Sequence, residues 1–200
     1  MTLRIHVRRI VHPDARELIE QVQQEYVVRY GEPDATTVSA DQFDPPQGLF
    51  AVGYGSAAVP VASGGWRYMP QLSGQVATYE IKRMFVTPAM RGRGYARTML
   101  AYLEDAAAAA GAQRLVLETG RRQPEAMALY RSCGYRPTIR FGHYADYPLS
   151  VYLAKSVTAP GAKPAAAQTN LILDGATAQG ATVQSRPEAE TLTPDAGERP

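Results

Sequence analysis

The chain has 200 residues, which is enough for one domain or for one domain with a tail. Its 21 Lys and Arg against 19 Asp and Glu leave a net charge of +2, so the whole-molecule field favours neither nucleic acid nor a membrane surface as a partner. A single cysteine, Cys133, excludes an internal disulfide framework and suits a reducing, cytoplasmic setting; no apolar stretch is long enough to span a bilayer, and no apolar run follows Arg8-Arg9 as a secretory or twin-arginine signal requires.

Leu3, Ile5 and Val7 alternate with Arg4, His6 and Arg8, which predicts a strand. Pro13-Asp14 opens a helix whose apolar positions Leu18, Ile19, Val22 and Tyr26 recur at helical spacing, and Gly31 ends it. Residues 32–48 are polar, hold Pro33, Pro45 and Pro46, and read as a loop with room for one short helix. Residues 49–54 and 59–69 read as a hairpin about Gly55-Ser56, and 75–86 as a long third strand. The turn Thr87-Pro88-Ala89-Met90 then leads through Arg91-Gly92-Arg93-Gly94-Tyr95-Ala96 into an amphipathic helix over 95–110, with Met99, Leu100, Leu103 and Ala107 on one face and Gly111 after it. A strand over 114–118, a helix over 124–133 with proline in its first turn, and strands near 135–141 and 149–154 complete the domain. The order β-α-β-β-β-α-β-α-β-β predicts an α/β (α+β) fold, a mixed sheet with helices on both faces. Composition breaks near Ser156: from there to Pro200 there is no Phe, Tyr or Trp, and Ala, Gly, Pro and Thr dominate. The expectation is a domain over 1–155 and a disordered tail over 156–200, since such a segment buries too little apolar surface to offset the entropy of ordering it.

The turn at Arg91–Ala96 is the most informative stretch. A glycine-rich entry to a helix leaves several main-chain N–H groups unpaired and pointing one way, and the helix dipole adds partial positive charge there. Arg91 and Arg93 add full charges, Gly94 allows close approach, and Ala96 keeps the first turn slim. This is a socket for a polyanion such as a pyrophosphate. A Walker loop needs Gly-Lys-Ser or Gly-Lys-Thr, and none occurs. The dinucleotide pattern G-x-G-x-x-G is half met by Gly92 and Gly94, with Arg97 in the third glycine's place and Glu118 loosely at the acidic position. The pattern [Q/R]-x-x-G-x-[G/A] is met in full by Arg91, Gly94 and Ala96. Taken by itself, an arginine-rich turn that only caps a helix explains the hexapeptide equally well.

The flanking sequence shifts that balance. Residues 75–137 resemble the GCN5-related N-acetyltransferase (GNAT) superfamily: the strand ending Met84-Phe85-Val86, the turn Arg91–Ala96, the strand ending Glu118-Thr119, and the helix whose Leu129-Tyr130-Arg131-Ser132-Cys133-Gly134-Tyr135 matches the family's L-Y-x-x-x-G-[F/Y]. The resemblance implies a mostly antiparallel sheet with a splayed pair of central strands, and acetyl-CoA as co-substrate with no metal. Pantetheine would lie in the splay and bond the main chain of Met84, Phe85 and Val86, much as an added strand does. The pyrophosphate would sit on Arg91, Gly92, Arg93, Gly94, Tyr95 and Ala96. Many members carry Asn just after the strand that here ends Glu118-Thr119; this chain has Gly120-Arg121-Arg122-Gln123-Pro124 instead. Thr119 and Gln123 are the implied contacts, with Arg121 and Arg122 as alternatives for Gln123 or as solvated loop charges.

Amine acetylation needs a base for the amine, donors for the developing oxyanion and an acid for the leaving thiolate. The resemblance makes Glu80 the candidate base, six residues before Val86 as in histone-acetylating members, and Tyr130 the candidate acid. Strand alternation puts Glu80, Lys82, Met84 and Val86 on one face unless a bulge intervenes. Cys133 as an acyl-accepting nucleophile is set aside, because no His lies near it in sequence to activate it.

The acceptor side is expected from 32–48 and 141–152. Glu32, Asp34, Asp41 and Asp44 with His143, Tyr144, Asp146 and Tyr147 suit a small cationic amine. A protein lysine or N-terminal amine is the alternative acceptor, and an acetyl-CoA sensor without turnover the alternative activity. A nucleic-acid module using Arg91, Arg93, Arg97, Arg121 and Arg122 lacks an RNA-binding aromatic motif. A monomer or homodimer is expected.

Overall fold

The computed structural model describes residues 2–56 and 58–158. The expected tail, from residue 159 on, lies outside the described residues. Seven strands, β1 Arg4–Val7, β2 Gly48–Tyr54, β3 Pro60–Tyr68, β4 Thr78–Val86, β5 Arg114–Gly120, β6 Arg136–Pro137 and β7 Ser150–Ser156, form one sheet in the order β1-β2-β3-β4-β5-β7-β6. Every neighbouring pair is antiparallel except β4 and β5. The helices are α1 Pro13–Tyr30, the single turn α2 Pro70–Ser73, α3 Tyr95–Ala109 and α4 Pro124–Ser132.

Local chemistry sets the ends of α1. Pro13 supplies the fixed φ of a first turn, the His12 ring accepts from the Asp14 amide, and Gly31 closes the helix at φ 91°, returning its N–H to Val27. Its buried stripe of Ala15, Leu18 and Val22 packs on Phe50, Val52 and Phe85, on one face of the sheet. On the other face Met99, Leu100 and Leu103 of α3 meet Ile81, Leu115 and Leu117, joined by Tyr130 and Tyr135. A fully buried leucine such as Leu103 stabilises the fold by about 1.5–3 kcal/mol. Gly64 makes that packing possible: a Cβ there would lie 2.7 Å from the Met84 sulfur and 2.8 Å from Leu103 Cδ1.

Three expectations need correction. Strand β4 begins at Thr78, because 70–73 make one helical turn and the buried Ser73 hydroxyl bonds both Met69 O and the Thr78 amide. The strand expected over 135–141 shrinks to two residues; after one further bond, from Thr138 N to Tyr152 O at 3.1 Å, the chain leaves the sheet and forms a loop to Leu149. The third concerns β4 itself. Arg83 sits in the left-handed region at φ 58°, where the β3–β4 register slips between Ser63 and Gly65. This is a bulge, and Ser63 Oγ donates to the Arg83 carbonyl it displaces, at 3.2 Å. The phase therefore flips within the strand. Tyr79, Ile81, Met84 and Val86 face α3, whereas Phe85 packs toward α1, so Glu80 and Lys82 do not share a face with Met84 and Val86.

Strands β4 and β5 pair over only three residues, from Thr78 opposite Arg114 to Glu80 opposite Val116. Beyond that point β5 continues on β7 to Gly120, and β4 continues on β3 to Val86. The central strands splay, as expected.

Candidate active site

The splay opens a cleft of about 850 Å³, continuous with solvent. Ile81–Met84 form one wall and Glu118–Gly120 the other. Tyr26 and Tyr30 reach it from α1, Tyr144 and Tyr147 from the loop before β7, and Tyr130 from α4. A smaller cavity of about 270 Å³ adjoins it, lined by Arg67, Glu80 and His143; Lys82, Glu118 and Tyr144 border both.

Charge is concentrated at the inner end. Asp34 lies 2.8 Å from Arg83 Nη1, a charge contact rather than a well-aimed hydrogen bond, and accepts the Thr36 amide at 2.8 Å. Burial alone would raise its carboxyl, but Lys82, Arg83 and the Thr36 bonds outweigh that and hold it below the usual carboxylate range. Glu118 behaves oppositely. Burial pushes its carboxyl up and the nearby Asp34 and Glu80 add to this, against the Ser150 hydroxyl, which donates at 2.7 Å, and Lys82. Glu80 is buried, takes Arg67 Nε at 2.7 Å and lies 3.5 Å from Lys82 Nζ; it lines the smaller cavity and not the main cleft. Arg67 is oriented in turn by Gln42 at 2.7 Å.

On the opposite wall Tyr130 is buried edge-on to Tyr135, ring centres 5.7 Å apart. Burial, with Cys133 and Glu118 nearby, raises its hydroxyl pKa, so it stays protonated. Thr119 Oγ1 donates to Gln123 Oε1 at 3.3 Å, and both line the cleft beside Tyr130. Gly120 must lack a side chain: a Cβ there would fall 1.8 Å from the Tyr30 hydroxyl. Arg122, expected as an alternative for Gln123 or as a solvated loop charge, instead donates to Arg29 O at 2.6 Å while Arg29 donates to Arg122 O at 2.7 Å, locking the end of α1 to the β5–α4 loop.

The turn before α3 is exposed. Gly92 and Gly94 take φ 75° and 79°, and the space a Cβ would fill at each is open. Gly94 is the N-cap of α3 and no side chain caps the helix, so the amides of Tyr95, Ala96 and Arg97 face outward as first-turn donors. Such an opening fits a diphosphate. Arg91 is directed elsewhere: its Nε donates to Val86 O at 3.0 Å, its guanidinium pairs with Glu25, and it lies 5.8 Å over the Phe85 ring. Arg97 donates to Ser132 Oγ at 2.8 Å and to Cys133 Sγ at 3.1 Å, tying α3 to α4.

The structure thus gathers Met84, Thr119, Gln123 and Tyr130 into one cleft. Phe85, Val86 and the turn Arg91–Ala96 lie at the far end of β4 and beyond it, outside the cleft lining. Sequence reasoning missed Lys82, Arg83, Tyr26 and Tyr30 as cleft residues and weighed Glu118 only as a ribose contact. The available signal was a lone carboxylate closing the apolar run Leu115-Val116-Leu117. Of the acceptor-side candidates, Glu32, Asp34, Tyr144 and Tyr147 line the cleft, while His143 lines the smaller cavity. Asp44 pairs with Arg9, and Asp41 accepts from the Ser39 hydroxyl. Among the described residues no group of three or more His, Cys, Asp or Glu is placed to hold a metal, and no helix is long and apolar enough to cross a membrane.

Residues 15–135, more than half the chain, match the model of the Acetyltransferase (GNAT) family. The chain belongs to this family. The solved structures that resemble it agree with the GNAT sheet described above. An acyl-CoA N-acyltransferase candidate from Klebsiella pneumoniae aligns over 78% of this chain and 98% of its own, with 26% identity and a TM-score of 0.63. A GNAT phosphinothricin acetyltransferase from Sinorhizobium meliloti, solved with AcCoA, aligns over 83% and 95% with 16% identity and a TM-score of 0.62, a likeness of fold. An IAA acetyltransferase of Azospirillum brasilense is 46% identical over 76 residues, which is 38% of this chain and half the length of that relative.

Proposed function

We propose that the protein is an acetyl-CoA-dependent N-acetyltransferase that moves an acetyl group to the primary amine of a small molecule by direct attack in a ternary complex. The observation that carries this reading is the cleft itself. A buried, protonated tyrosine and a carboxyl with a raised pKa line one cleft between the splayed β4 and β5, and an uncapped helix entrance lies beyond the end of β4. Acetyl-CoA, when bound, supplies the thioester. Glycine-opened space and the Tyr95, Ala96 and Arg97 amides would hold its diphosphate, and the β4 edge left unpaired beyond Glu80 would accept its pantetheine.

In this reading Glu118 receives the proton that the attacking amine gives up, as the C–N bond forms and the C–S bond breaks. Tyr130 delivers its own proton to the departing sulfur. Glu80, fixed by Arg67, shapes the field at Lys82 and Glu118 and does not meet the amine. A carboxyl with a raised pKa is a stronger base than an ordinary glutamate, which suits a group that must take a proton from an amine.

The test has two stages. Acetyl-CoA at ~100 times its dissociation constant is expected to add about 2.7 kcal/mol of folding stability, read as a thermal shift absent with NAD or DNA. Free thiol release in a panel of small amines then reports transfer. A thermal shift without thiol release from any amine or peptide would leave a sensor in place of an enzyme.

A further inference from the structure

Two adjacent cations, Lys82 and Arg83, line the cleft, and they differ in how closely a carboxylate approaches them. Arg83 has Asp34 at 2.8 Å. The Lys82 side chain is 10% exposed, and its nearest carboxylate oxygens are Glu80 Oε1 at 3.5 Å and Asp34 Oδ2 at 4.0 Å. Glu80 gives its other oxygen, Oε2, to Arg67 Nε at 2.7 Å, and Asp34 is engaged by Arg83 and the Thr36 amide. Lys82 Nζ donates no hydrogen bond to any described residue. An ammonium carries three donors, and those of Lys82, on the wall of an open cleft, are available to a ligand. Glu118 borders the same two cavities, but no ion pair joins it to Lys82, and in the acyl-transfer reading its carboxylate is engaged by the acceptor's amine. Glu32, at the rim, is exposed. Around the inner cleft the three cations Arg67, Lys82 and Arg83 therefore face Glu80 and Asp34, with Glu118 left for the amine, and Lys82 has the loosest carboxylate contact of the three.

We propose that the acceptor carries a carboxylate beside its amine, taken up by Lys82 with Arg83 behind it while the amine lies toward Glu118, so that the substrate is an amino acid and not a plain amine or polyamine. This rests on the acyl-transfer reading above and narrows it. A polyamine would bring a second ammonium against Lys82, which like-charge repulsion opposes. Tyr26, Tyr30, Tyr144 and Tyr147 leave an apolar or aromatic surface for the rest of the acceptor.

The test uses matched acceptors on the full chain: phenylalanine against phenethylamine, and leucine against isopentylamine. Wild type is expected to favour the amino acid by at least ~10-fold in kcat/KM, the scale of one charge-assisted hydrogen bond in a dry site. Lys82→Met is expected to bring that ratio close to one, and Lys82→Arg to retain most of it. A second readout does not need transfer. Titration calorimetry on CoA-saturated protein compares N-acetylphenylalanine with its carboxamide, and the carboxylate is expected to bind at least ~10-fold tighter in wild type but not in Lys82→Met. Equal or better use of the plain amines by wild type, or a preference that survives Lys82→Met, overturns the inference. Absence of thiol release with the calorimetric contrast intact would overturn acyl transfer and leave the carboxylate site standing. Transfer without the contrast would do the reverse, and loss of both would remove both.

Discussion

The cleft and the turn that lies beyond it at the α3 entrance are made of different materials. At the α3 entrance the working groups are main-chain amides, opened to solvent by two glycines in left-handed conformation. At the inner end they are side chains: Asp34, Lys82, Arg83 and Glu118, drawn from three separate segments and buried among tyrosines. Main-chain donors are the same whatever side chains surround them, so the entrance can serve a ligand common to a whole family. The inner end carries its chemistry in residues that any substitution alters. One scaffold can thus keep its cofactor while its acceptor changes.

Tyr130 lies between the two ends, and its substitution gives the largest expected effect. Tyr130→Phe is expected to lower kcat by ~10²–10⁴ while acetyl-CoA affinity stays within about twofold, measured by steady-state thiol release and calorimetry. A parallel fall in affinity would place the hydroxyl in binding and blur the division. Glu118 comes next. Its carboxyl is raised, so its base form is reached only at higher pH than for an ordinary glutamate, and kcat/KM is expected to climb with pH through the raised value. Glu118→Gln should cost ~10² in kcat/KM and flatten that limb. Stability has the matching sign: the folded state holds this proton more tightly than the unfolded chain does. The contribution is therefore full below the ordinary carboxylate range and lost as pH rises through the raised value. Asp34, held low, contributes above the ordinary range and loses its share as pH falls through its depressed value. Denaturant melts of Glu118→Gln and Asp34→Asn across pH 3–8 (about that range) should show opposite slopes relative to wild type.

The smallest effect tests the entrance. Gly94→Val forces a β-branched residue to φ near 79°, which costs about 1–2 kcal/mol, and fills the open space above the turn. Acetyl-CoA is expected to bind ~10-fold more weakly, with the ranking of acceptors unchanged. A changed ranking would show that the two ends are not separable.

What could be read from the sequence follows the same division. The turn and the Leu129–Tyr135 motif are contiguous, so a linear pattern contains them. The splay was also anticipated, through the resemblance those motifs carry. The inner end was only partly visible. Asp34 and Lys82 are 48 positions apart in the sequence and meet only because α1 and its following loop fold over β4. The slip at Arg83 depends on β3, whose Ser63 and Gly65 set the register, and period-two counting on β4 alone does not contain it. Residues 138–141 belong to the expected strand, yet they leave the sheet; Phe141 packs on Tyr152, and Tyr144 beyond it accepts the Ala35 amide.

The extra peptide unit at Arg83 has one further consequence. Upstream of it, β4 turns Glu80 and Lys82 toward Arg67 and Asp34; downstream, it presents Met84 and Val86 to the α3 core and leaves its edge toward β5 unpaired. The insertion acts as a joint between two reading frames of one strand. Changes before the joint can retune which molecule is accepted without turning the later residues over, whereas deleting the joint would rotate every side chain after it to the wrong face. A single-residue deletion there should be worse tolerated than any replacement in the same strand.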